Sequence, residues 1–200
     1  GNWPDMKRNV TDFASSGGAG GGGVQGLLDS YVRARGGPNA AAQQMAAASG
    51  TGARLAGFLT SVSRQGLERA LEETGLTELA GKTGTELLSA VRGFLVGPGS
   101  LMDDDIARWA LIEYLNEVFG ACHSVVDWES AVARLLENGL GRVLRHFFGL
   151  CIFRRFLADF SERLAKASGG VRSTRRLVRD IRAYILMSRT SRREIGRAHV

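Results

Sequence analysis

Apolar positions recur along this chain mostly at intervals of three and four. No alternating polar–apolar stretch is bounded by turn signals, so the pattern predicts helices and no strands. The clearest predicted helix covers 53–74. Leu55, Phe58, Leu59, Val62, Leu67, Ala70 and Leu71 share one side, Glu68, Arg69, Glu72 and Glu73 face away, and Gly75 supplies a stop. Thr83-Gly84-Thr85-Glu86 matches a capping box ahead of Leu87, Leu88, Val91, Phe94 and Leu95, and Gly97-Pro98-Gly99-Ser100 closes that helix. Asp103, Asp104 and Asp105 complement the dipole at the start of the next helix, which points Ile106, Trp109, Ala110, Leu115 and Val118 inward. Ser124 or Asp127 caps a further helix carrying Val132, Leu135 and Leu136.

A heavily apolar helical pattern runs over 140–167, Gly169-Gly170 interrupts it, and a last helix follows over about 174–188. Nearer the start, a short helix is expected over 25–35 and an Ala-rich one over 39–48, broken by Ser49-Gly50-Thr51-Gly52. The expected fold class is all-α, an irregular bundle of about seven helices over 27–193. Residues 1–26 read as a disordered Gly-rich arm, because the run Gly17 to Gly23 loses much backbone entropy on ordering.

Composition changes this picture little. The 200 residues are 44% hydrophobic, which suits a globular domain. Two cysteines make no disulfide framework, and a cytoplasmic, reducing setting is the default. The densest apolar run, Phe147 to Phe153, stops at Arg154, so no membrane span is expected.

Charge changes it more. Residues 51–141 hold 7 Lys+Arg against 13 Asp+Glu, whereas 142–200 hold 15 against 4. Within the basic end, Arg172, Arg175, Arg176, Arg179 and Arg182 recur at three and four and line one helix side, opposite Leu177, Ile181, Tyr184 and Ile185. Three readings are open. The face binds nucleic-acid phosphates, or the helix lies on a membrane surface with its apolar side free. In the third, it is a bundle helix whose arginines are solvated or pair with the acidic middle.

Candidate chemistry is sparse. Gly18 to Gly23 formally matches G-x-G-x-x-G but follows no strand and sits in a glycine run. Gly75 to Thr83 approaches a phosphate-binding loop but has five residues between its glycines and a helix before it. Cys122-His123, His146 and Cys151 lack metal-ligand spacing. Glu113 and Glu117 share a helix face without a second pair to complete a catalytic or metal set. No catalytic residue, metal site or cofactor is expected, and the chain reads as a non-enzyme. In the arm, Trp3 and Pro4 are the candidate partner-docking residues.

Both ends read as truncated. The first residue is Gly rather than Met, and 194–200 matches the translation of a sequencing-adaptor oligonucleotide. The native chain is therefore expected to continue past Arg193.

A succession of short pieces carries a family resemblance. They are Tyr31 to Gly37, Ala40-Ala41-Ala42, Gly52 to Leu59, Leu76 to Gly81, and Asp103 to Arg108. Together with the Gly-rich start containing Trp3-Pro4, the succession resembles the QatB component of the Qat anti-phage defence system, from about Trp3 to the final helix. The Qat system also encodes an ATPase, a QueC-like enzyme and a TatD-like nuclease. The resemblance implies a non-enzymatic protein that binds the QueC-like enzyme and is a candidate substrate for modification by it. In such schemes the modified position follows a Met-Gly start, which this sequence lacks, so no modification site is assigned to Gly1. A nucleic-acid-binding helical module, using the five arginines, is the alternative.

Overall fold

The computed structural model describes residues 2–43, 45–79, 82, 84–97 and 102–194. Among them there are ten α-helices and no strand: α1 Trp3–Ser15, α2 Gly23–Ala34, α3 Pro38–Gln43, α4 Ala46–Gln65, α5 Leu67–Glu73, α6 Gly84–Val96, α7 Met102–Phe119, α8 Val125–Glu137, α9 Leu140–Ala167 and α10 Val171–Glu194. Single 3-10 turns lie at Gly20–Gly22 and Thr77–Leu79. The all-α expectation holds. Among the described residues no helix is long and apolar enough to cross a membrane.

The helices sort into two compact units: a terminal unit, Gly1–Ala46 with Ile152–Val200, and a central unit, Ala47–Cys151. In the terminal unit, α1 buries Met6, Val10, Phe13 and Ala14, and α2 buries Leu27, Tyr31 and Ala34. They share a core with Phe153, Phe156, Phe160 and Leu164 of α9 and with Leu177, Ile181 and Ile185 of α10. In the central unit α5 packs on α8, and α7 touches both α6 and α8. There Phe119 stacks on Trp128 with ring centroids 4.2 Å apart.

The expectation of a disordered arm is corrected. Residues 3–15 form α1, with Pro4 in the first turn where its missing N–H matters least. Met6, Val10, Phe13 and Ala14 fall at i, i+4, i+7 and i+8, which is one helix face. Burying three large side chains contributes on the order of 1.5–3 kcal/mol each, which with the helix hydrogen bonds works against the ordering entropy.

The glycine run is likewise a built turn rather than a tether. Gly17, Gly18, Gly21, Gly22 and Gly23 all have positive φ, which only glycine adopts without strain. Gly18 N–H closes α1 by donating to the Phe13 carbonyl at 2.8 Å. A Cβ on Gly20 would lie 2.6 Å from the Asp12 carbonyl oxygen, and one on Gly26 would run into the Gly21 carbonyl. Gly20 and Gly26 are needed for close approach, and Gly21 and Gly22, which meet nothing within 4 Å, for their backbone conformation.

The helix expected over 53–74 is two helices with an earlier start. At Gly66 the backbone takes φ 88° and ψ 165°, and Glu129 of α8 accepts the Leu67 N–H at 2.9 Å, so α5 begins afresh. Upstream, Gly50 and Gly52 do not break α4. A Cβ on Gly52 would sit 3.1 Å from the Phe148 ring, so this glycine lets α9 pack closely. Ser124 caps α8, accepting the Asp127 N–H at 3.1 Å, while Asp127 accepts the His123 N–H at 2.9 Å. At the C-terminal end of α6, Arg54 donates to the carbonyls of Leu95 and Val96, each at 2.8 Å. The Thr83 cap, the stop at 98–100 and the adaptor-like segment, apart from the backbone of Glu194 that ends α10, lie outside the described residues.

Candidate interaction surfaces

Two sequence-nominated sites fall in the terminal unit. The first is Trp3-Pro4. Pro4 is exposed, as are Asn2, Asp5, Lys7 and Arg8 around it on the outer face of α1. Trp3 is half-buried, and its ring packs edge-on to Tyr31 (centroids 6.4 Å) and tilted against Phe160 (6.1 Å). The Arg35 guanidinium lies 5.7 Å from the Trp3 ring centroid and 5.2 Å from that of Tyr31, within cation–π range. The indole is thus engaged inside this fold rather than displayed on a loose arm.

Behind Trp3 sits a polar network that sequence reading did not single out. Asp159 of α9 accepts hydrogen bonds from the Tyr31 hydroxyl at 2.7 Å and from Arg35 Nη2 at 2.5 Å, and Arg35 Nε donates to the Tyr31 oxygen at 3.0 Å. Burial and the Asp159 carboxylate push the Tyr31 phenol above its ordinary range. Burial opposes the Arg35 charge, but the Asp159 hydrogen bond and nearby negative potential hold that guanidinium above its usual value. No short-range signal could have found this set, because the partners stand 124 and 128 residues apart. Its chemistry is that of a clamp. It fixes α2 on α9 and supplies the surface on which Trp3 rests.

The second nominated site is the arginine face of α10. Arg172, Arg175, Arg176 and Arg179 are exposed and Arg182 is half-buried. The opposite face, Leu177, Ile181 and Ile185, is buried in the core. Membrane-surface binding by this helix needs those residues free, so that reading does not fit the fold. Arg179 meets Asp180 at 3.7 Å, and Arg176 Nη2 donates to the Gly17 carbonyl at 3.3 Å, tying the helix to the glycine turn. Among the described residues no carboxylate lies within ion-pair reach of Arg172, Arg175 or Arg176.

In the central unit, His146 Nε2 approaches Glu117 at 3.1 Å, and its ring meets Tyr114 edge-on. The Cys122 and Cys151 thiols are both buried and free, and burial pushes the Cys151 thiol up to about 12. Among the described residues no three His, Cys, Asp or Glu side chains are grouped to hold a metal ion. The glycine-bounded stretch after Gly75 is preceded by helix α5, not a strand.

Residues 36–191, most of the chain, match the model of a family described as Qat anti-phage system associated protein QatB. No curated protein and no solved structure matches.

Proposed function

The chain belongs to the QatB family, and from that premise we propose that it is a non-enzymatic partner protein that binds a QueC-like enzyme within the Qat anti-phage defence system. Membership of the family makes it a component of that system. The observation that carries the proposal is the family match over 36–191.

The placement of α1 supports two manners of docking. Trp3 is held by Tyr31, Phe160 and Arg35, while Pro4, Asp5, Lys7 and Arg8 are open. The partner enzyme would therefore read the first helix as a folded surface, or lift α1 from its platform to reach the backbone of that segment. The second route costs the packing of Met6, Val10 and Phe13, and suits an enzyme that modifies the segment it binds.

The test is co-expression of the tagged chain with the QueC-like, ATPase and TatD-like neighbours encoded at the same locus, followed by affinity capture and size-exclusion chromatography. A stable complex with the QueC-like enzyme is the expected outcome. Capture of no neighbour would sink the reading, as would a locus without those genes.

A further inference from the structure

We infer that the arginine face of α10 is a sequence-independent binding surface for duplex nucleic acid, holding phosphates through Arg172, Arg175, Arg176 and Arg179. The four guanidiniums are exposed on one side of one helix, and among the described residues only Arg179 of the four has a carboxylate partner, Asp180. From Arg172 to Arg179 the helix advances about 10 Å, a length over which duplex DNA carries about six charges.

The surrounding field has the same sign. The terminal unit holds 17 Lys+Arg against 7 Asp+Glu, whereas the central unit holds 9 against 13. Such an imbalance steers polyanions toward one unit. Arg176 is also oriented, by its hydrogen bond to the Gly17 carbonyl, so part of its side-chain entropy is already lost before a phosphate arrives.

The chemistry selects the ligand. A lipid surface would require the apolar side of α10, which is buried as Leu177, Ile181 and Ile185. A single strand would want aromatic rings for its bases to stack on, and this face carries none, since Tyr184 lies on another side of the helix. It carries no Asn or Gln to read base edges either. What is left is a row of guanidiniums; these can also meet guanine edges, but on an exposed helix face with no other reading side chain they suit backbone phosphates, which carry no sequence information.

The experiment is fluorescence anisotropy of the full chain with a short random-sequence DNA duplex, over a range of salt. With four phosphates neutralised, affinity should fall about a hundredfold between 50 and 200 mM salt. The variant Arg172→Gln/Arg175→Gln/Arg176→Gln/Arg179→Gln should lose nearly all of this slope. A matched control, Arg64→Gln/Arg69→Gln/Arg134→Gln/Arg142→Gln, removes the same charge from exposed positions of the central unit and should retain it. Should the fourfold variant misfold, Arg172→Gln/Arg175→Gln removes two side chains that meet no partner among the described residues and should reduce the slope by about 2. Absence of duplex binding at low salt, equal losses in face and control variants, or capture of anionic vesicles in preference to duplex would each overturn the inference.

Discussion

Arg35 and Asp159 form an ion pair at 2.5 Å, across 124 residues of sequence, with side chains only 10% and 21% exposed. Breaking such a pair leaves a desolvated charge, which costs more than the pair itself is worth. Asp159→Ala should therefore lower the unfolding free energy by about 2–3 kcal/mol, and Arg35→Ala by a similar amount. The double variant should lose less than the sum, with a coupling above about 1 kcal/mol in urea denaturation. Strict additivity would show that the two side chains act separately.

The buried phenols give the molecule a defined alkaline limit. Burial first, then Asp159 for Tyr31 and Glu117 for Tyr114, raise both groups above the ordinary tyrosine value. A folded value above the unfolded one means that the stabilisation is complete below about pH 10. It is lost as the pH rises past that point, by about 1.4 kcal/mol per pH unit for each phenol. In a Tyr184→Phe background, tyrosinate absorbance should rise together with the loss of helical circular dichroism, not before it. Early, non-cooperative ionisation would show that these hydroxyls are open to solvent.

The glycine turn between α1 and α2 predicts a graded response to single methyl groups. Gly20→Ala and Gly26→Ala place a Cβ against backbone carbonyl oxygens and should destabilise by about 2–4 kcal/mol, since backbone must move. Gly21→Ala meets nothing within 4 Å but keeps φ 64°, so its cost should be about 1–2 kcal/mol. Urea midpoints of the three variants read this order directly. Equal, negligible shifts would mean that the segment is a tether after all.

That turn also shows where the sequence was legible and where it was not. The span 140–167 coincides with α9, and the cap at Ser124 was nominated, because both are signalled within a few residues. The apolar spacing Met6, Val10, Phe13 and Ala14 is equally visible in the sequence, but the entropy of the neighbouring glycines points the other way. Gly20, Gly26 and Gly52 instead allow backbone or rings to approach, which depends on partners distant in sequence or in an adjacent element. The Tyr31–Arg35–Asp159 set was illegible for the same reason. The arginine row of α10 is legible in sequence, while the lack of carboxylate partners at Arg172, Arg175 and Arg176 among the described residues needed the fold.

The two thiols should be protected by burial. Cys151 is fully buried with its thiol pushed up to about 12, and burial also raises that of Cys122. Reaction requires the thiolate, so a thiol-specific disulfide reagent at neutral pH should titrate neither cysteine in the native protein and both after denaturation. Rapid stoichiometric labelling of a native cysteine would contradict the packing around it.

The hold on α1 can be measured by proteolysis. Lys7 and Arg8 are exposed trypsin sites inside a helix, and a helix must open locally before it fits a protease cleft. On an unstructured arm these sites would be cut at once; here cleavage should follow the opening equilibrium of α1. Trp3→Ala removes the contacts to Tyr31, Phe160 and Arg35 and should weaken the hold by about 1–2 kcal/mol, speeding cleavage there about 5- to 30-fold. Phe13→Ala, which empties a fully buried site, should cost about 3–5 kcal/mol and release the helix almost entirely. The masses of the earliest fragments report which bond is cut first. If Trp3→Ala leaves the rate unchanged, the indole is not what holds the start of the chain, and a partner could take that segment without displacing it.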